Sequence, residues 1–486
     1  MTGLTSIGTY VPRLRLARKT ILAAQGKPSG SASGERAICN WDEDSLTMAV
    51  EAARACLGDG PASVTGITLA STTLPFEERQ NATIVATALD LAEGIRSMDT
   101  GGTQRAGTSA LIAAIDMVGA DGGDRLVVAS DHRLTKSASP QELRFGDGAG
   151  AVTVGAEAGL AEVLATHTLS VDFIDHYRGQ GRPYDYYWEE RWIRDEGYLK
   201  LIPQALNEAL GKASIAPEDV DHAILPQAVP KAAAAICKRV GLRPDSLADS
   251  LQDRIGDTGV AHPFLMLAGV LETAQKGEII ALVGFGQGCD VIVLRATGDL
   301  RGQRGESGLG AGIARRSEMT NYTKYLAFNG LIEKDEGMRG EVDYQSAMTQ
   351  IYRRRDMLLA MVGGICPDCQ TPQFPRSRVC VNPGCASFAT QERYRFADKP
   401  ATVVSWSADH LTYTPDPPAR YGLIQFEGGG RIFANFTDVD GPEVDVGTGM
   451  RMVFRIKEFD HKRGFRRYFW KATPKVGHTA QTGGAA

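Results

Sequence analysis

The feature that most constrains the fold is a duplicated pattern in the first 300 residues. Short apolar segments typical of buried strands recur after roughly 155 residues, and Asp-Thr-Gly precedes a predicted helix in each copy. The paired segments are residues 67–71 and 223–225, and residues 126–129 and 280–283. Apolar strands that alternate with amphipathic helices are typical of α/β proteins. The pattern therefore predicts two similar α/β halves, residues 1–155 and 156–300.

A second domain is predicted after a segment that is poor in large apolar residues. Residues 301–343 begin with Gly, Arg, Ser and Glu, which is typical of a linker. In residues 344–474, segments rich in β-branched and aromatic residues alternate with turns that contain Pro and Gly. This pattern predicts a small closed β-barrel. We expect residues 475–486 to form a flexible tail.

Charge and hydropathy exclude several classes of protein. The chain has 53 Lys and Arg against 58 Asp and Glu, so a global field that attracts nucleic acid or an anionic membrane is missing. The sequence contains no basic and apolar leader and no run of roughly 18 apolar residues. We therefore expect a cytoplasmic protein that binds no membrane.

Four of the eight cysteines form a compact pattern. Cys366 and Cys369 make a C-x2-C knuckle, and Cys380 and Cys385 make a C-x4-C knuckle ten residues further on. Pro and Gly beside the cysteines suit the tight turns of zinc knuckles. Four thiolates complete a tetrahedral site and leave no position for water. The spacing therefore predicts a structural zinc ion.

Several motifs, in order, resemble those of the thiolase superfamily. They are Asn-Ala-Thr-Ile-Val-Ala-Thr-Ala-Leu at 81–89, Gly-Asp-Gly-Ala-Gly-Ala at 146–151, Ile-Gly-Asp-Thr at 255–258 and Gly-Phe-Gly-Gln-Gly at 284–288. The most similar branches are hydroxymethylglutaryl-CoA synthase, especially its archaeal form, and ketoacyl-acyl-carrier-protein synthase III. This resemblance implies a thiolase-like duplicated five-layer α/β fold, a homodimer and an acyl-CoA thioester as substrate.

Residues 344–474 are similar to the zinc-ribbon plus OB-fold family that accompanies thiolase-like enzymes. The similarity implies a zinc ribbon followed by an OB-fold barrel, and a partner enzyme of the thiolase pathway. Residues 461–470 are basic and aromatic, a pattern that in OB-folds is typical of nucleic-acid binding. Because the resemblance assigns these cations to CoA phosphates or to the partner domain, we do not expect nucleic acid to bind.

The residues that the superfamily uses for catalysis are all replaced. Compared with the family pattern, Gln104 stands in place of the nucleophilic Cys, and Pro226 in place of the His. Thr72 replaces a Glu, and Asp257 replaces an Asn. A Gln side chain cannot form an acyl-enzyme, and Pro has no side-chain donor or acceptor. Any reaction at this site therefore proceeds without the usual covalent intermediate.

Two interpretations follow. The first is an acyl-CoA enzyme that makes or cleaves a C–C bond beside the thioester by a retro-aldol, retro-Claisen or decarboxylation step. Similar polyketide loading domains with Gln in place of Cys decarboxylate without acyl transfer. Gln104 would then stabilise the enolate oxygen and Asp257 would act as the base, unless Asp257 only caps its helix. The alternative is a non-catalytic acyl-CoA-binding scaffold that partners a thiolase.

Other residues are candidates for the same cavity. His262 follows Asp257 on one helix and is a second candidate base, although such a His is more often packed in a core. The Asp-His pairs at 131–132 and 175–176 are further candidates or simply loop residues. The aromatic segment 184–192 is either an acyl pocket or a dimer contact. The resemblance implies that the substrate or its oxyanion contacts Gly286, Gln287, Gln227 and Lys231.

Overall fold

The structure is a computed structural model that describes residues 2–30, 32–58, 64–229, 231–298, 308–440 and 444–475. The chain forms two compact units. The first comprises Met1–Asn40, Asp44–Val85 and Gly94–Leu331, and the second Trp41–Glu43, Ala86–Glu93 and Ile332–Ala486. None of the helices in the described ranges has the length and apolar content needed to cross a membrane. The predicted tail, except residue 475, lies outside the described residues.

The first half of the duplicated pattern forms alternating strands and helices. Its elements are β1 (Gly3–Tyr10), β2 (Leu14–Ala17), α1 (Arg18–Ala24), β3 (Glu35–Ile38), α2 (Ser45–Leu57), β4 (Gly66–Ala70), α3 (Asn81–Ala88), β5 (Arg96–Thr100), α4 (Ala106–Asp121), β6 (Arg125–Asp131) and β7 (Gly148–Gly155). A capping box starts α2, because the Asp44 carboxylate accepts the Thr47 N–H at 3.0 Å and the Thr47 hydroxyl lies 2.8 Å from the Asp44 N–H.

The second half continues the alternation and adds a short aromatic hairpin. Its elements are β8 (Ala161–Ser170), β9 (His176–Tyr177), β10 (Tyr186–Tyr187), α5 (Glu190–Trp192), α6 (Leu199–Ala213), β11 (His222–Ile224), α7 (Ala232–Val240), α8 (Gln252–Ile255), α9 (His262–Leu271), β12 (Ile279–Phe285) and β13 (Gly288–Ala296). The hairpin consists of β9 and β10, which pair antiparallel through Tyr177 and Tyr186.

The two halves share one nine-stranded sheet and a common helical layer. Its strand order is β11-β12-β13-β8-β1-β7-β6-β4-β5, and the halves join where β1 pairs with β8. Helices α4 and α9 pack against strands of both halves, whereas α2 covers β1, β6 and β7, and α6 covers β8 and β13. The strands of each half form one layer of this sheet, so the layers run helix, sheet, helix, sheet, helix, and the predicted duplicated five-layer fold is confirmed.

The linker predicted for residues 301–343 is wrong for residues 308–331, which belong to the first unit. These residues form α10 (Leu309–Ala314), β14 (Ser317–Glu318) and α11 (Tyr322–Phe328), and β14 pairs in parallel with β2. Met319 and Tyr325 are buried with apolar side chains of β2, α1 and β3. The prediction failed because it extended the polar composition near residue 301 over a segment that does carry aromatic residues to bury.

The second unit contains the predicted barrel. Its elements are α12 (Met348–Arg353), α13 (Arg355–Leu359), β15 (Val362–Ile365), β16 (Pro372–Gln373), β17 (Glu392–Arg395), β18 (Ala401–Asp409), β19 (Ala419–Phe426), β20 (Arg431–Asn435), β21 (Gly449–Asp460) and β22 (Phe465–Pro474). Five strands form a sheet of order β20-β19-β18-β21-β22, and a bridge between Phe436 and Ala472 brings its two edges together. Trp470, Phe454 and Phe426 fill its core.

A buried ion cluster lies within the second unit. Arg455, which has no exposed surface, places its guanidinium 3.0 Å from the Glu43 carboxylate and 2.9 Å from the Asp438 carboxylate. The ammonium of Lys471 lies 2.8 Å from the Asp42 carboxylate. Burial lowers the pKa of Lys471, and Asp42 opposes that shift. Strands of the barrel thus bind an acidic pair that comes from the N-terminal part of the sequence.

Candidate functional site

One cavity of the first unit gathers several of the predicted catalytic and binding residues. It encloses about 1090 Å3 of space free of protein atoms, its open mouth included. Gln104, Asp257, His262 and Gln227 line it. Much of the remaining wall is apolar or aromatic and includes Ile193, Tyr198, Met266, Val283 and Phe285. The cavity therefore combines a few polar groups with an apolar surface, which is typical of a small-molecule site.

Gln104 reaches the cavity from the turn that precedes α4. Its amide nitrogen donates to the Thr72 hydroxyl oxygen at 3.4 Å. The Thr103 hydroxyl and the Arg105 guanidinium both donate to the Gly286 carbonyl, at 2.8 and 3.0 Å, and so fix the turn on either side of Gln104. The Arg105 guanidinium also lies 2.7 Å from the buried carboxylate of Asp290. The Gln104 amide is thus held at the start of a buried helix, where backbone N–H groups favour negative charge.

Thr72 is itself anchored by a buried carboxylate. Asp131, at the end of β6, accepts hydrogen bonds from the Thr72 N–H at 2.7 Å and the Thr72 hydroxyl at 3.0 Å. It also accepts the Val260 N–H at 3.1 Å, and burial raises its pKa. Asp131 therefore positions Thr72, and through it Gln104, instead of lining the cavity.

Asp257 is fixed by its backbone as well as its side chain. Its N–H donates to the Arg144 carbonyl at 2.7 Å, and its carbonyl accepts the Gly146 N–H at 2.8 Å. The carboxylate accepts the Gly259 N–H at 3.0 Å, a contact of the kind that caps a turn. Asp257 also lines the cavity. It therefore caps the turn and faces the site at the same time, two roles that the sequence analysis gave as alternatives.

A buried arginine that the sequence did not single out lies on the same wall. Arg133 donates to the Asp185 carboxylate at 2.5 Å and to the Tyr187 hydroxyl at 3.2 Å, and its guanidinium lies 3.7 Å from the centre of the Phe145 ring. Burial opposes its charge, but Tyr187, Asp185 and Asp257 together raise the pKa of Arg133. The guanidinium on the cavity wall is therefore charged and paired with the Asp185 carboxylate.

The Asp-His pair at 175–176 also lines the cavity. The Nδ1 atom of His176 lies 3.1 Å from an Asp175 carboxylate oxygen, and the imidazole stacks on the Tyr187 ring with the centroids 5.1 Å apart. Burial raises the pKa of Tyr187 to about 12, so its hydroxyl stays protonated at neutral pH. The other Asp-His pair, Asp131 and His132, is not among the described residues that line the cavity. The Nδ1 atom of His132 instead lies 3.1 Å from a carboxylate oxygen of the buried Asp147.

The contacts of His262 correct the prediction that it is a base. Its Nδ1 atom accepts the Thr258 N–H at 3.3 Å, and its Nε2 atom lies 2.9 Å from the Ser250 carbonyl oxygen. These partners fit an imidazole whose Nδ1 accepts and whose Nε2 donates, an assignment made from the hydrogen bonds. Because both ring nitrogens are occupied, His262 packs at the cavity wall and has no nitrogen for proton transfer.

Three other predicted contacts differ from the expectation. The Gly286 N–H donates to the Gly288 carbonyl at 3.1 Å, so it is not available to an oxyanion. Gln287 has a left-handed φ of 52°, and Lys231 is exposed at the start of α7. None of the three belongs to the described residues that line the cavity. Only Gln227 among the four implied contacts reaches it.

The four clustered cysteines come together in the second unit. Their sulfur atoms all lie within 4.8 Å of one another, with Cys369 3.5 Å from Cys380 and Cys366 3.9 Å from Cys385. Sulfur atoms at this spacing fit four thiolates around one tetrahedral ion. The arrangement supports the predicted structural zinc, which would tie the β15–β16 turn to the second knuckle.

Cys289, the cysteine next to the glycine-rich turn, is an inert thiol. It has no exposed surface, and burial together with Asp290 raises its pKa. A thiol that does not ionise is a poor nucleophile.

The five-layer fold, with a cavity beside the N-terminus of a central helix, defines a thiolase-like protein. The family model "3-Oxoacyl-[acyl-carrier-protein (ACP)] synthase III C terminal" matches residues 210–294. The model "ChsH2, C-terminal OB-fold domain" matches residues 394–455. These matches confirm the predicted resemblance for parts of both units.

Curated relatives narrow the class. The hydroxymethylglutaryl-CoA synthase of Aeropyrum pernix is 30% identical over 297 residues, which are 59% of this chain and 82% of that protein. That of Methanopyrus kandleri is 28% identical over 297 residues, 59% of this chain and 84% of that protein. The chain therefore belongs to the hydroxymethylglutaryl-CoA synthase family.

Solved structures show the same fold. A crystal structure of HMG-CoA synthase complexed with CoA superposes with a TM-score of 0.62 at 20% identity and covers 71% of this chain and 94% of that one. The 3-oxoacyl-(acyl carrier protein) synthase III of Pseudomonas aeruginosa superposes with a TM-score of 0.55 at 22% identity. The match covers 61% of this chain and 98% of that one. Neither match reaches the full length of this chain.

Proposed function

We propose that the protein acts on an acyl-CoA thioester and makes or cleaves a C–C bond at the carbon next to its carbonyl through an enolate, without a cysteine nucleophile. One observation carries the proposal. The amide of Gln104 lines the cavity at the start of α4, and none of the described lining residues is a cysteine. The names of the relatives support a CoA thioester as the substrate. A solved structure with this fold was determined in complex with CoA, which supports the same class of ligand.

The charges at the cavity suit an enolate. Cleavage of a bond one carbon away from the thioester carbonyl leaves negative charge on the carbonyl oxygen. A fixed amide N–H from Gln104 stabilises that oxygen, and the guanidinium of Arg133, paired with Asp185, lies on the same wall. The reaction also needs one group that moves a proton, and two candidates line the same cavity: Asp257, the base predicted from the sequence, and the imidazole of His176.

The apolar wall favours a hydrophobic acyl group. Tyr187 and Trp188 of the aromatic segment line the cavity, which supports the acyl-pocket interpretation of residues 184–192. Trp188 is also 60% exposed, so the dimer contact stays open as a second role of this segment. Homodimer formation, a location in the cytoplasm and a partner enzyme of the thiolase pathway stay predictions.

The test is turnover of a panel of 3-hydroxyacyl-, 3-oxoacyl- and malonyl-type CoA esters, with the acyl-CoA products followed by mass spectrometry. In D2O we expect the shortened acyl-CoA to gain deuterium at C2, because the enolate takes a solvent-derived proton. The intact mass of the protein stays unchanged during turnover. An acyl group attached covalently to the chain would contradict the proposal.

The alternative is a non-catalytic acyl-CoA-binding scaffold. One observation favours it: the Gly286 N–H is bonded within its own turn, so the glycine-rich loop offers one donor fewer to an oxyanion. Gln104→Ala and Asp257→Asn discriminate the two functions. An enzyme loses turnover, by roughly 100- to 1000-fold for the loss of one oxyanion donor. A scaffold shows no turnover with any ester of the panel and still binds CoA esters.

A further inference from the structure

One imidazole of the cavity has a nitrogen that no protein group occupies. Within the described part of the chain, the Nδ1 atom of His176 lies 3.1 Å from the Asp175 carboxylate in an ion-pair contact that is not a hydrogen bond, and no protein group is hydrogen-bonded to Nε2. The same carboxylate accepts the backbone N–H of His176 at 2.9 Å, which fixes the two residues relative to each other. A carboxylate beside Nδ1 favours the tautomer that carries its proton there and leaves the lone pair on Nε2.

Charged groups surround this imidazole on several sides. Tyr187 of the paired strand β10 stacks on the ring with only 15° between the planes. Burial would raise the pKa of the Asp185 carboxyl, but Arg133, and after it His176 and Arg178, lower that pKa below its ordinary value. The imidazole therefore lies among two carboxylates, those of Asp175 and Asp185, and the guanidinium groups that pair with Asp185. His176 is placed to take up a proton and release it again.

Other candidate bases are less suited to this task. Both nitrogens of His262 are occupied, and His132 contacts Asp147 away from the described cavity lining. Asp257 accepts a backbone N–H and lies near enough to Arg133 to raise the pKa of that guanidinium. The Asp257 carboxylate is thus already engaged by protein groups. His176 is the candidate with a ring nitrogen left for the substrate.

We propose that His176 is the catalytic proton-transfer residue of this cavity, that Asp175 positions it, and that the substrate class is the 3-hydroxyacyl-CoA thioesters. This inference rests on the proposed function and narrows it to a retro-aldol cleavage. A retro-aldol step must remove the proton of the substrate's 3-hydroxyl group. An imidazole with a free Nε2 can accept that proton.

The step balances without any co-reactant. The Nε2 atom takes the proton of the 3-hydroxyl group, and the O–H electron pair forms the carbonyl of the leaving aldehyde or ketone. The C2–C3 bond breaks, and its electron pair becomes the enolate whose oxygen the Gln104 amide stabilises. The imidazolium then returns the proton to C2, which gives the shortened acyl-CoA. Nothing is oxidised or reduced, and the reverse sequence is the aldol addition.

The experiment compares the full-length protein with His176→Gln and Asp175→Asn on the 3-hydroxyacyl-CoA ester that it cleaves. We expect kcat of His176→Gln to fall by about 100-fold or more, with KM changed by less than about threefold, since a general base contributes to the transition state. The acidic limb of the pH–rate profile disappears in His176→Gln. In Asp175→Asn we expect that limb to move, because the group beside Nδ1 loses its charge.

A matched control comes from His222, which lies 2.9 Å from the Glu278 carboxylate and is not among the described lining residues. His222→Gln also removes an imidazole beside an acidic group, and we expect it to keep the wild-type kcat and pH profile. If His176→Gln fails to fold, the pH–rate profile of Asp175→Asn decides, and an unmoved acidic limb overturns the assignment.

The outcomes separate the two proposals. Cleavage by the wild type together with the loss in His176→Gln supports both. Cleavage that persists in His176→Gln at more than a tenth of the wild-type kcat overturns the role of His176 and leaves the proposed function standing. Turnover of 3-oxoacyl- or malonyl-type esters alone overturns the substrate class and likewise leaves the proposed function. A wild type that turns over no ester of the panel overturns both.

Discussion

Gln104 shows how one side chain limits the reactions available to a cavity. Its amide can donate a hydrogen bond but cannot attack a carbonyl, so the chemistry is restricted to charge stabilisation and proton transfer. The contacts through Thr72 to Asp131 hold the amide in place, and the Thr103 and Arg105 bonds to Gly286 hold the turn. The position of one amide therefore depends on three separate segments of the sequence.

The residues of the site were only partly predictable from the sequence. Gln104 and Asp257 were found because they occupy motif positions of a known superfamily. The sequence does not identify Arg133 as a site residue. An arginine that follows a strand is usually exposed, and nothing near it in sequence indicates that Asp185 and Tyr187, about 50 residues further on, will pair with it. The aromatic segment 184–192 was the available signal, because it marked the loop that supplies both partners.

The His132–Asp147 pair gives a prediction for stability against pH. Burial alone would raise the pKa of Asp147, but His132 and Arg36 hold it below its ordinary value of 3.8. A carboxyl with a lowered pKa stabilises the fold above its unfolded-state pKa, and this contribution is lost as pH falls through the folded-state pKa. We expect His132→Gln to cost about 3–5 kcal/mol of unfolding free energy at neutral pH.

The measurement is denaturant unfolding of wild type and His132→Gln between neutral and acid pH. The difference in unfolding free energy should shrink below about pH 4, where the carboxyl is protonated in the variant. His222→Gln is the control, because its partly exposed pair with Glu278 contributes at most about 1 kcal/mol. A difference that stays constant with pH would show that the loss comes from packing alone.

At the scale of elements, a close approach of two backbones positions Asp257. An added Cβ at Gly146 would lie 1.9 Å from the Ile255 carbonyl oxygen. Because this oxygen belongs to the backbone, no side-chain rotation can remove the clash. We expect Gly146→Ala to lower both the unfolding temperature and kcat, because the loop that contains Asp257 must move. Gly119 on α4 has open space where its Cβ would stand. Gly119→Ala should be neutral or stabilising by up to about 1 kcal/mol in thermal unfolding, with unchanged kcat.

The two cysteine knuckles predict a metal dependence of the second unit. Purified protein should contain about one zinc ion per chain, because four thiolates saturate one tetrahedral ion. In Cys380→Ser the metal content measured by mass spectrometry should fall well below that of the wild type, with a lower unfolding temperature. Cys56→Ala should keep its zinc, since Cys56 is a buried thiol that contacts Ser6 in the first unit. Wild-type protein that binds no zinc after refolding with the metal would contradict the prediction.

Elements were more predictable than their connections. The repeated strand segments and the alternation of the barrel strands follow from local periodicity, so both folds were expected from the sequence. The segment 308–331 was misread as linker because its helices bury only a few side chains, among them Tyr325 and Met319. Short elements of this kind carry too few periodic residues to be distinguished from a loop.

At the scale of the molecule, neither unit is a continuous stretch of chain. The second unit includes Trp41–Glu43 and Ala86–Glu93, which are separated from residue 332 by much of the sequence. Arg455 binds Glu43, and Lys471 binds Asp42, inside this unit. The alternating pattern of residues 344–474 predicts the barrel. No local signal predicts that Lys471 of the barrel pairs with Asp42, which lies 429 residues earlier in the sequence.

We therefore expect Asp42→Asn to destabilise the second unit strongly. The carboxylate of Asp42 is fully buried and also accepts the Thr437 hydroxyl at 2.9 Å. Its loss leaves the buried Lys471 ammonium without its anion, which costs about 3–5 kcal/mol. Asp343→Asn is the control, because the ion pair of Asp343 with Arg463 is exposed. Equal unfolding midpoints for the two variants, followed by tryptophan fluorescence, would contradict the prediction.

The buried acidic pair has a consequence for biosynthesis. Asp42 leaves the ribosome early, whereas Lys471 follows 429 residues later. At 5–20 residues per second the nascent chain spends roughly 20–90 s with these carboxylates lacking their cations. The buried ion cluster forms only after strands β21 and β22 have been made, so completion of the second unit is a late event in synthesis.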